Sequence, residues 1–273
     1  MVSQSSLKAT IFATLIVILQ LVSTTEANAR AQIIKLTCDQ HQEENNATEF
    51  NHNVVNMTDL LGAKMRTSRI GTASVGTGPD SSFGLAQCYG DLSTQDCTSC
   101  YAEARNVLPH CYPNNGGRIY LEGCFTRFQN YNFYEEYTGP DDTYVCGNGT
   151  TKSIAFKDTV TQAMSNAVTD ALRNKEYFGK EQMLVSGSGN ESVYVLANCW
   201  GTLSPSSCKA CLANATASVS KCLPLSEGRA LNTGCFIRYS DTKFLNPVRH
   251  TSRASNEGNE ISQTIDLMMT KLV

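Results

Sequence analysis

Twelve cysteines stand in two copies of one pattern. The first copy is Cys38, Cys88, Cys97, Cys100, Cys111 and Cys124; the second is Cys146, Cys199, Cys208, Cys211, Cys222 and Cys235. From the second cysteine onward both read C-x8-C-x2-C-x10-C-x12-C. A repeat of that size is a domain-sized unit, so the chain is read as a tandem duplication of one small domain.

The cysteine chemistry depends on the compartment. Lys8 precedes an apolar run from Ile11 to Val22, and small residues follow to Ala27-Asn28-Ala29. That order is a secretory leader over residues 1–29, with a run shorter than the ~20 apolar residues of a membrane span. An uncleaved anchor is the rival reading of the same stretch. Export places the thiols in an oxidising compartment, where an even count at repeated spacing means disulfides. Six cysteines allow 15 pairings in each domain, and spacing does not choose among them. Zinc and a thioredoxin-like redox pair are weaker readings of the C-x2-C steps. The four histidines (His41, His52, His110 and His250) never fall at matching places in the two repeats. No metal and no cofactor is expected.

The net charge is −3 across 273 residues, and the 22 Lys and Arg form no basic stripe. A nucleic-acid partner is therefore not expected. Asn46, Asn56, Asn148, Asn190 and Asn214 each open an N-x-Ser/Thr glycosylation triplet, which fits an exported chain.

Each repeat reads in one order. A strand, Ile33 to Cys38, leads to the first cysteine. A helix follows, with Phe50, Val54, Met57, Leu61 and Met65 at helical spacing; Phe156, Val160, Ala163, Ala167 and Ala171 answer in repeat two. Gly71 to Gly78, closed by Pro79, reads as a glycine-rich turn before a strand at Phe83–Cys88. Ser192 to Cys199 alternates as a strand should. A second helix carries the C-x2-C step. Ser93 with Asp96 forms a capping box, and Ser204 caps before Pro205 at the first helical position. Last comes G-R-x-x-x-x-G-C-F, from Gly117 to Phe125 and from Gly228 to Phe236. Intermixed helices and strands with short connections suggest an α+β domain on an antiparallel sheet. The expected domains are 30–137 and 138–246, joined by a polar linker from Thr138 to Val145. A polar tail, 247–273, ends in a short amphipathic helix on Ile261, Ile265, Met268 and Leu272.

The run Cys88-Tyr89-Gly90-Asp91-Leu92-Ser93-Thr94-Gln95-Asp96-Cys97-Thr98-Ser99-Cys100, its partner Cys199 to Cys211, and the G-R-x-x-x-x-G-C-F motif resemble the plant ginkbilobin-homologous domain. This is also called the stress-antifungal or cysteine-rich repeat domain. Tandem pairs of it form the ectodomains of cysteine-rich receptor-like kinases, and secreted cysteine-rich repeat proteins. The resemblance implies a five-stranded antiparallel sheet packed against two helices in each domain. It also implies the pairs Cys38–Cys111, Cys88–Cys97 and Cys100–Cys124, then Cys146–Cys222, Cys199–Cys208 and Cys211–Cys235. The family's antifungal lectins hold mannose through an Asn, an Arg and a Glu. Those places here hold Asp39, Arg118 and Gln129, and in repeat two Gly147, Arg229 and Ser240. Asp39, Arg118 and Gln129 are thus the candidate sugar-binding residues, although the two arginines read more simply as structural residues at strand starts.

The chain carries neither a transmembrane segment nor kinase motifs. It is read as a secreted relative or a shortened receptor product. No nucleophile–base pair or carboxylate pair repeats in both halves, so no catalytic residue and no enzyme activity is expected. Asp141-Asp142 and Glu135-Glu136 read as solvated surface. The expected function is a non-catalytic extracellular recognition module in plant stress and defence signalling, secreted into the apoplast. Its partner would be an unidentified extracellular protein or cell-wall glycan. The alternative is a secreted antifungal mannose-binding lectin. Recognition would use exposed sheet faces or the groove between the domains. Tyr131, Phe133, Tyr134 and Tyr137 form either a binding patch or inter-domain packing.

Overall fold

The computed structural model describes residues 30–40 and 43–246. The leader, His41, His250 and the tail with its expected helix lie outside the described residues. The first domain runs β1 (Ile33–Asp39), α1 (Ala47–Met65), β2 (Ile70–Val75), β3 (Ser82–Cys88), α2 (Thr94–Val107), β4 (Gly116–Leu121) and β5 (Cys124–Gln129). The second repeats the order: β6 (Thr143–Cys146), α3 (Ile154–Arg173), β7 (Phe178–Leu184), β8 (Ser192–Cys199), α4 (Pro205–Val219), β9 (Glu227–Asn232) and β10 (Cys235–Ser240). Each domain holds one antiparallel sheet, ordered β1-β4-β5-β3-β2 and β6-β9-β10-β8-β7. This is the expected α+β architecture, five strands and two helices per domain.

Local chemistry sets the helix starts. The Asn46 side chain accepts the Thr48 and Glu49 amides at α1, and Ser93 Oγ accepts the Asp96 amide at α2. Ser153 caps α3, and Ser204 caps α4 with Pro205 just inside. These groups satisfy N–H donors that a helix cannot satisfy itself. The helices then bury one stripe on one face of their own sheet. Met57, Leu61 and Met65 of α1, and Phe156, Val160, Ala163, Ala167 and Ala171 of α3, are fully buried.

Disulfides fasten helix to sheet within each half: Cys38–Cys111, Cys88–Cys97 and Cys100–Cys124, then Cys146–Cys222, Cys199–Cys208 and Cys211–Cys235. None links the two halves. Their sequence separations are 73, 9 and 24 against 76, 9 and 24. Each such bond contributes roughly 2–4 kcal/mol by restricting the unfolded chain.

Three expectations need correction. Gly71 lies inside β2 rather than in a turn: a Cβ there would approach Lys64 Cβ at 3.1 Å, so the glycine lets α1 sit close to the sheet. The turn itself uses Gly76 (φ 83°) and Gly78 (φ 64°). Val54 is only half-buried; Asn53 takes the inner position and donates from Nδ2 to the Asp80 carbonyl at 2.9 Å. The linker ends at Asp142, because Thr143, Tyr144 and Val145 pair with β9.

Candidate functional site

The sheet faces turned away from the helices meet each other. In β5, Cys124, Thr126 and Phe128 point to the helices, while Phe125, Arg127 and Gln129 point to the second domain. From β3 onward, adding 111 to a first-domain number gives its counterpart across the seam. Phe125 and Phe236, and Tyr89 and Trp200, form a stack ordered Phe125, Trp200, Tyr89, Phe236. Successive ring centroids are 4.3, 6.4 and 4.4 Å apart. Leu85, Tyr120, Leu196 and Leu231 complete the apolar layer. Its polar tips are satisfied. Trp200 Nε1 donates to the Thr233 carbonyl at 2.6 Å, and Tyr120 Oη to the Asn232 carbonyl at 2.9 Å. Burial pushes the Tyr89 and Tyr120 phenols well above their ordinary value.

Polar contacts repeat the same symmetry. Gln87 Oε1 accepts the Gly201 amide at 2.8 Å, and Asn198 Oδ1 accepts the Gly90 amide at 3.2 Å. Arg118 donates to Thr233 Oγ1 at 2.9 Å, and its counterpart Arg229 pairs with Glu122 at 2.6 Å. Arg127 lies over the Phe133 ring at 4.2 Å, and Arg238 over Phe244 at 4.0 Å. All four guanidinium groups are buried and paired with carboxylates. The pairs of Arg229 and Arg238 with Glu122 cross between the domains and fix their register, because breaking one leaves a buried charge uncompensated.

The expected site residues fall as follows. Asp39, Arg118 and Gln129 come together: Gln129 Nε2 donates to Asp39 Oδ2 at 2.9 Å, and Arg118 stands 3.8 Å from Asp39. Arg118 also pairs with Asp141 at 2.9 Å and is 3 % exposed, and Gln129 is fully buried. Arg229 has no such company in Gly147 and Ser240; its partners are Glu122 and Glu227. The five triplet asparagines, Asn46, Asn56, Asn148, Asn190 and Asn214, are all exposed and away from the seam.

Of the acidic residues read as solvated surface, Glu135 is exposed as expected, while Asp141, Asp142 and Glu136 are engaged. Asp142 accepts from the Thr233 amide at 2.7 Å and from Thr233 Oγ1 at 2.6 Å; Asp141 holds Arg118, and Glu136 holds Arg127 at 2.8 Å. They are drawn in because buried arginines need counter-charges. The aromatic cluster serves the junction as well. Phe133 is buried in the seam, and the Tyr134 carbonyl accepts from Thr202 Oγ1 at 2.7 Å. The roles of Glu122, Arg127, Arg238 and Phe244 escaped the sequence reading. The 111-residue offset was the available signal: it pairs Arg127 with Arg238 and Phe133 with Phe244.

Two clefts open along the seam. One, of about 490 Å3, straddles the pseudo-twofold and is lined by Gln87, Gly90, Asn198 and Gly201 with Arg69, Lys175 and Glu176 at its rim. The other, of about 780 Å3, lies between residues 132–138, Thr72 and Thr202. Among the described residues, no cluster of His, Cys, Asp and Glu is arranged to hold a metal, and no helix is long and apolar enough to cross a membrane. The clefts offer hydrogen-bonding and charged groups on a rigid frame, which suits them to binding.

Residues 37–131 and 145–242 match the family described as salt stress response/antifungal. The chain is 54% identical over 228 residues to cysteine-rich receptor-like protein kinase 2 of Arabidopsis thaliana, covering 83% of this chain and 35% of that protein. It thus spans about a third of the length of that kinase. The matched part is the ectodomain, a non-catalytic fold; the kinase part is not covered. The antimicrobial ginkbilobin-2-like protein of Castanea crenata is 27% identical over 208 residues, covering 75% of this chain and 86% of that one. The crystal structure of the tandem DUF26 ectodomain of the Arabidopsis thaliana cysteine-rich receptor-like protein PDLP8 shares the fold. Its TM-score is 0.61 at 24% identity, covering 78% of this chain and all of that one. The relatives are extracellular ectodomains or secreted proteins. This chain belongs to the salt stress response/antifungal (DUF26) family, with two copies of its domain in tandem.

Proposed function

We propose that the chain is a non-catalytic recognition module of the cysteine-rich receptor-like kinase ectodomain type, acting in plant stress and defence signalling from the apoplast. The observation that carries this reading is the pair of polar clefts on the seam of two disulfide-fastened domains. Arg229 and Arg238 are committed to Glu122 across that seam, and a preorganised frame with open clefts favours binding. The expected use of exposed sheet faces is withdrawn, since the faces turned from the helices cover each other. The reading includes a cleaved leader and glycans on the five exposed asparagines, which intact-mass and glycopeptide analysis would detect. A glycan array, run beside capture from cell-wall extract and titration of each captured ligand, tests it. Saturable binding of an extracellular glycan or protein is expected; a chain that retains no ligand in either arm sinks the proposal.

The mannose-binding lectin is a second reading, favoured by the convergence of Asp39, Arg118 and Gln129. Against it, the amide and guanidinium donors are already engaged with Asp39, Asp141 and Thr233. Mannose binding that disappears in Asp39→Ala, with the melting temperature unchanged, would promote it.

A further inference from the structure

The larger cleft departs from the symmetry that governs the seam. Three pairs of side chains in the domain contact are identical 111 positions apart: Phe125 and Phe236, Arg127 and Arg238, Phe133 and Phe244. Past Phe133 the identity is lost. Tyr134, Glu135 and Tyr137 correspond to Leu245, Asn246 and Val248. The three first-domain residues line the cavity.

The wall they form is held from both domains. Tyr134 Oη donates to the Ala73 carbonyl at 2.8 Å, and its own carbonyl accepts from Thr202 Oγ1 at 2.7 Å. The Tyr137 backbone lies against the β9–β10 turn, where a Cβ on Gly234 would come within 2.6 Å of Tyr137 Cα. Thr202 is the second domain's part of the lining, so docking of the domains completes the cavity.

Its chemistry is acidic and aromatic. None of the described residues lining it is Lys or Arg. Arg127 lies beneath, already committed to Glu136 and to the Phe133 ring. Glu135 is exposed, and Tyr137 presents 36 % of its surface. The ammonium of Lys64 reaches the wall but is engaged by the Thr72 carbonyl, and a cleft lined by an exposed carboxylate and aromatic rings selects a cationic side chain.

We propose that this cleft binds a basic peptide, seating a lysine or arginine side chain against the Tyr137 ring and the Glu135 carboxylate. The proposal rests on the recognition reading above and adds to it a site and a ligand class. The probe is a labelled nonapeptide of alternating Lys and Ser, titrated by fluorescence anisotropy against the full chain. Hexasaccharides of mannose and xylose form parallel arms. Saturable peptide binding is expected, weakened by about tenfold or more in Glu135→Gln and in Tyr137→Ala. The isosteric Glu135→Gln keeps the test valid if Tyr137→Ala disturbs the fold. Asp158→Asn, an equal charge change on exposed α3, should leave binding unchanged. Absent peptide binding, an equal loss in Asp158→Asn, or saccharide binding that depends on Tyr137 overturns the proposal. A ligand from the wider screen that ignores both cleft variants also overturns it, while leaving the recognition reading intact.

Discussion

Trp200 is the only tryptophan in the chain, and it sits where the two domains share most of their apolar contact. Its ring stacks on Phe125 from the other domain at 4.3 Å, with Tyr89 on its second side. Truncating a buried aromatic removes transfer energy and leaves a cavity, at a cost of about 3–5 kcal/mol. Trp200→Ala should therefore lower the melting temperature by roughly 10 °C for a chain of this size. Tyr112→Ala, at a side chain 65 % exposed, should change stability by less than about 0.5 kcal/mol. Thermal unfolding of the two variants compares them directly. An equal effect would mean that the seam carries little of the stability.

The two halves pack their long helices differently. In the second, Ala163, Ala167 and Ala171 face the sheet, and Gly179 on β7 lies directly beneath. A Cβ on Gly179 would fall 2.0 Å from the Ala167 carbonyl oxygen and 2.7 Å from the Ala171 nitrogen, both backbone atoms that cannot swing aside. In the first half the matching strand carries Gly71, whose added Cβ would meet only Lys64 Cβ, at 3.1 Å. Gly179→Ala should thus cost about 1–3 kcal/mol by forcing α3 off the sheet, and Gly71→Ala less than about 1 kcal/mol. Chemical denaturation monitored by far-ultraviolet circular dichroism measures both; the reverse ranking would contradict this account of helix–sheet spacing.

Across the chain as a unit, buried phenols set the alkaline limit. Burial raises Tyr89, Tyr101, Tyr120, Tyr134 and Tyr239, and takes Tyr131 up to about 12. In the unfolded chain a phenol ionises near pH ~10. The folded form therefore holds its protons longer. The stability these six groups contribute is complete below that pH and is lost as pH rises through their folded values. Lys180 and Arg238, both lowered by burial, work in the opposite direction, two groups against the six phenols. Phenolate absorbance should rise late and together with loss of near-ultraviolet dichroism. Early, complete ionisation of the 11 tyrosines in a still-folded chain would contradict the burial described.

The duplication, the α+β order, the Ser93 and Ser204 helix caps and the inward-facing cysteines were legible along the chain. Each is a local signal: a spacing, a side chain that bonds an amide a few residues away, or a period of 3.6 or 2. The mating of the two sheets was not. In β5, Cys124-Phe125-Thr126-Arg127-Phe128-Gln129 mixes apolar and polar residues as a strand with one wet face would, yet every position is buried. The same holds for β4 and β10. Asp142, read as surface, lies at the seam on the Thr233 amide, and Glu122 neutralises Arg229 there across 107 residues of sequence. Composition and periodicity report what a segment prefers against water. They carry no record of which other segment replaces the water, and for this protein that partner is the second copy of its own domain.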